Sequence, residues 1–220
     1  MELINVRNAR SIWLVDIRDL NPNGISLYPI IEAIKDRYKF QTFPSTAEEL
    51  VPTRREGVVF AGGTFAVENR YHTVNKLTIY GDGLVVDTGL STAFSDAFLE
   101  DLSGFVSTQF GLTYRPGMIH KKAYLSELIV RIEKPFGRAF EKLAALLDRL
   151  TKLKGVAFEL VGLGLGADPK LGVSKPADFR LERELGKPFE QNRYYSLAPL
   201  QTHEHEELLR DFEEILTDPN

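Results

Sequence analysis

Apolar and polar positions alternate with a period of two in several segments of the first half, which is typical of strands. Pro44 and Pro52 bracket a capping-box pattern at residues 45–48, which predicts one or two helical turns. The motif GDG at residues 81–83 predicts a tight hairpin, in which we expect positive φ. The predicted strands of this half cover residues 11–17, 39–43, 57–68, 73–80 and 84–88.

A period near 3.6 predicts two helices in the same half. The first runs from Leu27 to Tyr38 behind Ser26, a good N-cap residue. The second follows Ser91, carries a stripe of phenylalanine and leucine, and ends at Gly111, which suits the left-handed conformation after a helix.

The second half repeats this order of strands and helices. Its clearest helix ends at Gly155, and its final helix begins near Thr202. The predicted strands cover residues 123–133, 156–163, 179–184 and 193–197. The predicted core face of the clearest helix consists of Phe136, Phe140, Leu143, Leu147 and Leu150.

These elements predict an α+β fold: a largely antiparallel sheet with about four helices packed on it, in one compact domain. The two similar halves would be residues 1–112 and 113–220, each β-α-β-β-β-α. Thr92 and Leu99 match Thr202 and Leu209 at one constant offset, which favours an internal duplication, although amphipathic helices entered from a strand also look alike in general. The element order of each half resembles that of TATA-binding-protein-type saddles, a likeness of architecture that implies no function.

Composition narrows the classes of function. The 220 residues contain no cysteine, which excludes thiolate metal sites and cysteine nucleophiles. The formal net charge of −4 disfavours nucleic acid as a partner. No apolar run reaches the ~20 residues of a membrane span and no signal peptide is recognisable, so we expect a soluble, cytoplasmic protein that does not enter a membrane.

Two histidines two residues apart, His203 and His205, invite a metal-site interpretation. Ligands on one helix must be three or four residues apart to share a face. Thr202 as N-cap, followed by a run of glutamates, predicts that this segment is the first turn of a helix. We therefore expect no metal here.

Two further motifs suggest a ligand or a metal ion. Gly162, Gly164 and Gly166 follow a strand, as in a dinucleotide-binding loop, but no helix is predicted after them, so close backbone approach is the competing interpretation. Glu182 and Glu184 share a strand face and could hold a divalent ion together with Asp168, although a solvated strand face explains the same pattern.

Basic and aromatic residues in loops and at strand ends form the remaining candidate binding sites. An anion, an acidic protein or RNA could contact them, and ordinary surface charge is the alternative. The candidates are Arg54, Arg55, Arg115, His120, Lys121, Lys122, Arg193, Tyr194 and Tyr195.

No catalytic motif or cofactor motif is recognisable. The leading hypothesis is a non-enzymatic binding or scaffold subunit that acts through a protein partner or through self-association. One alternative is a metal-dependent hydrolase or nuclease that uses Asp168, Glu182 and Glu184. Another is a small-ligand binder, with an apolar pocket of a few hundred Å³ between the sheet and its helices.

Overall fold

A computed structural model of the chain describes residues 1–46, 49–133, 141–156, 159–168, 170 and 176–217. The predicted α+β class is confirmed. The strands are β1 (Glu2–Leu14), β2 (Val58–Val67), β3 (Arg70–Tyr80), β4 (Gly83–Thr88), β5 (Lys121–Arg131), β6 (Gly162–Leu165), β7 (Phe179–Arg183) and β8 (Arg193–Ala198). The helices are α1 (Ile17–Leu20), α2 (Leu27–Tyr38), α3 (Thr92–Phe110), α4 (Glu141–Lys154) and α5 (Thr202–Thr217).

The strands form one sheet in the order β2-β3-β4-β1-β5-β8-β7-β6. The chain divides into two compact units, which we call the first unit (Asn8–Leu125) and the second unit (Met1–Arg7 with Ser126–Asn220). The division falls within β1 and β5. No helix among the described residues is both long and apolar enough to cross a membrane.

The first unit buries its apolar residues between its strands and the helices α2 and α3. Tyr38 on α2 and Phe98 on α3 meet edge to face with ring centroids 4.8 Å apart. The predicted caps of α3 are confirmed: the Ser91 side chain accepts a hydrogen bond from the amide of Phe94, and Gly111 has φ 68°. The fully buried large side chains of this unit are Trp13, Ile34, Tyr38, Phe60, Leu77, Phe98 and Leu99.

The second unit has a smaller core between its strands and α5. Leu128 and Val130 of β5, Leu181 of β7 and Leu209 of α5 are fully buried in it. Gly155 ends α4 with φ 71°, as expected. Of the core face predicted for α4, Phe136, Phe140 and the side chain of Leu143 lie outside the described residues, and Leu147 and Leu150 are half-buried.

Two predicted strands in the first half were wrong, one in its limits and one in its extent. β1 begins at Glu2, because its polar side chains alternate with buried ones and pair with other strands, as Arg10 does with Asp87 at 2.6 Å. It ends at Leu14, since Asp16 caps the short helix α1 instead. The predicted strand at residues 39–43 is only a single bridge between Thr42 and Ala61.

The strand predicted at residues 156–163 was wrong in its limits: residues 157–158 lie outside the described residues, and β6 covers Gly162–Leu165. An apolar run cannot by itself give the position of a strand. The GDG hairpin between β3 and β4 is confirmed, but neither Gly81 nor Asp82 has a positive φ. Glycine is required at the next position, because a Cβ on Gly83 would lie 2.7 Å from the Trp13 carbonyl oxygen.

Candidate functional site: a groove on the sheet of the second unit

A groove of about 530 Å³ lies on the second unit, a volume in the range of ligand-binding clefts. We call it the sheet groove. Its lining comprises Asn5, Arg7, Ile129, Glu182, Arg183, Glu184, Leu185, Arg193 and Tyr195.

The strand register explains why these residues meet. Tyr195 of β8 is paired with Ile129 on one side and with Glu182 on the other. Residues that are paired across strands share a face of the sheet. The neighbours Leu181 and Tyr194 point into the core of the unit and are fully buried. Alternation along β7 and β8 therefore turns Glu182 and Tyr195 into the groove.

Ile129 forms the apolar floor of the groove and is 5% exposed. The guanidinium of Arg7 lies 5.8 Å from the centre of the Tyr195 ring, within cation–π range. The Tyr195 hydroxyl donates a hydrogen bond of 3.0 Å to Glu127. Burial, followed by this bond, raises the pKa of Tyr195 to about 12, so the phenol remains a neutral donor at physiological pH.

Arg193 and Glu184 neutralise each other within the groove. The Arg193 Nε atom lies 2.6 Å from Glu184 Oε2. The contact is an ion pair rather than an aligned hydrogen bond, because neither atom meets the angular requirement for one. This leaves Arg7 and Glu182, neither of which forms an ion pair within the described part of the chain.

A buried arginine holds the turn at the rim of the groove. Arg183 packs its guanidinium against the rings of Tyr194 and Phe189, 4.7 and 5.2 Å from their centres. It also donates to the Phe189 carbonyl oxygen at 2.8 Å and forms an ion pair with Glu159. The turn so anchored presents Leu185, which is 96% exposed.

The predicted binding residues fall in different places. Arg193 and Tyr195 both line the sheet groove. Tyr194, the third candidate on this strand, is fully buried, because adjacent residues on a strand point to opposite faces and Tyr194 faces the core. Arg54 lies 3.9 Å from Asp82 in the first unit, and Arg55 beside it is exposed.

The second basic spot is exposed at Arg115, His120, Lys121 and Lys122. The ammonium of Lys122 lies 4.1 Å from the centre of the Trp13 ring and 3.6 Å from Asp96. This ion pair neutralises the positive charge that an anionic ligand would need.

The glycine motif lies on and just after β6. A Cβ on Gly162 would lie 3.0 Å from the Glu182 side chain, so close strand approach explains this glycine. A Cβ on Gly164 would meet no atom within 4 Å, and one on Gly166 would lie 3.3 Å from Asp178. Close backbone approach, rather than ligand binding, therefore explains the first glycine of the motif.

The acids of the hydrolase hypothesis do not form a metal site. Among the described residues, which include Asp168, Glu182 and Glu184, no group of three or more histidine or acidic side chains is placed to hold a metal ion. Asp168 instead accepts a hydrogen bond from the amide of Lys170 at 2.8 Å.

His203 and His205 lie in the first turn of α5, as predicted, although the helix begins at Thr202 and the preceding Gln201 is its N-cap residue. His203 is exposed, whereas His205 is buried. The N-cap amide of Gln201 donates to the Glu204 side chain at 3.0 Å, which is one arm of a capping box.

A histidine between two serines has the distances of a catalytic pair but not the access. Ser126 Oγ lies 2.6 Å from His205 Nδ1, and Ser196 Oγ lies 2.8 Å from Nε2. All three residues are 0% exposed, so no substrate atom reaches either hydroxyl. Burial also lowers the pKa of His205 to about 4. The trio is a neutral hydrogen-bonded network within the core.

Sequence analysis did not predict Asn5, Arg7 or Ile129 as members of the groove. The alternating segment Glu2–Leu14 could have extended the first strand to include the first two. Their meeting with Tyr195 depends on strand pairing between distant parts of the chain, for which the sequence holds no local signal.

The chain matches no family model and no curated protein.

Proposed function

We propose that this protein is a non-enzymatic binding subunit that holds an extended segment of a partner protein in the sheet groove. The observation that carries the proposal is the arrangement around Tyr195: an unpaired cation, Arg7, an unpaired anion, Glu182, and the apolar floor of Ile129. A segment with an acidic and a basic side chain beside an apolar one complements these three groups.

The rim of the groove supports a protein partner over a free small ion. Leu185 is 96% exposed on a turn that Arg183 fixes, so a partner would cover it without first ordering the loop. The groove also mixes charges of both signs, with Glu182 and Glu184 opposing its arginines. A nucleic-acid surface would need a basic excess.

The experiment is selection of a random-peptide library on the immobilised full chain. We expect enriched peptides to carry an acidic residue, and Arg7→Glu to weaken them at least ~10-fold, since a hydrogen bond to a charged group contributes about 1.5–3 kcal/mol. Tyr71→Ala is the matched control: Tyr71 is an exposed tyrosine on β3, outside the groove. Peptides that bind wild type and the Arg7 variant equally would refute the proposal.

We also propose that the two units arose by duplication, so that each kept a sheet with one capped helix on it. The strand order reads alike from both ends if β1, β4, β3 and β2 correspond to β5, β8, β7 and β6. The registers Ala9–Thr88 and Ser126–Ala198 are then equivalent.

A pair of buried polar residues supports the same correspondence. Ser95 of α3 and His205 of α5 are both buried, and both amides bond to the N-cap carbonyl of their helix. Ser95 donates to the Ala9 carbonyl oxygen at 2.9 Å, and His205 bonds to Ser126, which is the residue equivalent to Ala9. The test is to express residues 8–125 alone: a folded product would be expected of a unit that was once independent, and an unfolded one would count against it.

A further inference from the structure

The first unit contains an apolar cavity between its helices and strands, separate from the sheet groove. Helices α2 and α3 form one wall and strands β3 and β4 the other. The volume is about 70 Å³. Its apolar lining includes Ile34, Ile79, Leu84, Leu102, Val106 and Leu112.

The polar residues that line the cavity are largely satisfied by the protein itself. Ser103 donates its hydroxyl to the Leu99 carbonyl oxygen at 2.7 Å. Asn21 both donates to and accepts from the backbone of Ile25, each at 2.8 Å. A cavity whose polar groups are paired offers little to an ordered water, and apolar cavities of this kind stay dry and accept apolar ligands.

The remaining polar groups mark one edge of the cavity. The amide of Thr113 donates to the carbonyl oxygen of Leu20 at 2.8 Å, which brings Thr113 and its neighbour Tyr114 beside Asn21. No charged residue is among the described residues that line the cavity. The surface that the cavity exposes is almost wholly apolar, so a bound molecule meets apolar side chains throughout.

We propose that this cavity is a binding site for a short, uncharged aliphatic molecule. A water-sized probe fills roughly 10–15 Å³, so a cavity of 70 Å³ takes about five to seven heavy atoms. A carboxylate or an ammonium ion would be buried without a counter-charge, which excludes charged ligands of the same size.

The probe is the series of linear alcohols from 1-propanol to 1-octanol, measured by ligand-observed NMR on the full chain. Each buried methylene should lower Kd about fourfold. The gain should stop near a total of five to seven heavy atoms, because longer chains no longer fit. The carboxylic acid of matching length should bind at least ~10-fold more weakly at pH 7.

Two variants test whether the site is this cavity. Val106→Phe fills it and should abolish binding. Ile79→Val enlarges it by one carbon and is mild enough to fold, and it should move the preferred alcohol to a longer chain. Affinity that rises without limit along the series, or that both folded variants leave unchanged, would overturn the proposal.

A side chain from a second copy is the other occupant that the test resolves. In that case light scattering would detect an oligomer that the alcohols dissociate and that Leu185→Ser abolishes, since Leu185 is a fully exposed apolar side chain of suitable size. That result would overturn the small-molecule site. A monomer that binds the alcohols with the expected length limit would support it.

Discussion

The buried histidine makes the stability of the second unit depend on pH in a predictable direction. His205 is 0% exposed and uses both ring nitrogens. The Ser196 hydroxyl donates its hydrogen to the Arg180 carbonyl oxygen at 2.9 Å, so its oxygen accepts a hydrogen bond from the protonated Nε2 of His205. Nδ1 therefore carries no proton and accepts a hydrogen bond from the Ser126 hydroxyl. This chain of bonds is satisfied only by the neutral imidazole. Protonation would turn the Ser126 hydrogen away from its acceptor and bury a charge.

The magnitude follows from the difference in pKa between the two states. Burial lowers the pKa of His205 from 6.5 to about 4. The unfolded chain therefore binds the proton first, and the stabilisation is complete above pH 6.5 and is lost as the pH falls towards 4. At about 1.4 kcal/mol per pH unit, the full effect is ~3 kcal/mol, of which ~2 kcal/mol is lost between pH 7.5 and pH 5.

The assay is urea unfolding, followed by circular dichroism at pH 7.5 and pH 5, of wild type and His205→Gln. Other groups contribute equally to both proteins, so the difference between them isolates His205. We expect the variant to lose ~2 kcal/mol less than wild type across this interval. His203→Gln, which removes an exposed histidine of the same helix, should behave as wild type does. Equal losses for wild type and His205→Gln would refute the buried neutral network.

Four other substitutions test the packing of the units through the free energy of unfolding. Gly83→Ala should destabilise the protein by about 1–3 kcal/mol, because the new Cβ would meet the Trp13 carbonyl oxygen. Gly104→Ala in α3 should stabilise it by about 0.5–1 kcal/mol, because the new Cβ would meet no atom within 4 Å. The reverse order of the two stabilities would contradict the geometry. Ser91→Ala should cost about 1 kcal/mol through the lost N-cap, and no loss in thermal melting would argue against that cap. Arg183→Lys should cost roughly 1–3 kcal/mol by leaving the Phe189 carbonyl oxygen without its donor, and an unchanged urea midpoint would count against this anchor.

The sequence predicted most helices because their signals are local. The stripe of α2 and the two caps of α3 lie within a few residues of the structures that they specify. Strands were harder to place. The apolar run before Leu163 did not show where β6 begins, since its position depends on pairing with β7.

The candidate site was predicted only in part, for a related reason. Two of the candidates, Arg193 and Tyr195, line the groove. Tyr194 between them was included on composition, although alternation along the strand sends it to the core. Arg7 belongs to the groove because its guanidinium lies 5.8 Å from the centre of the Tyr195 ring. A contact between strands that are distant in sequence cannot be derived from either strand alone.

A charge-exchange cycle tests most directly the proposal that the sheet groove binds a charged peptide segment. The affinities of the best selected peptide and of its acid-to-lysine form are measured by calorimetry against wild type and Arg7→Glu. We predict that each single change weakens binding at least ~10-fold and that combining both restores it, with a coupling of about 1–3 kcal/mol. Additive losses without recovery would contradict a contact between the peptide and Arg7.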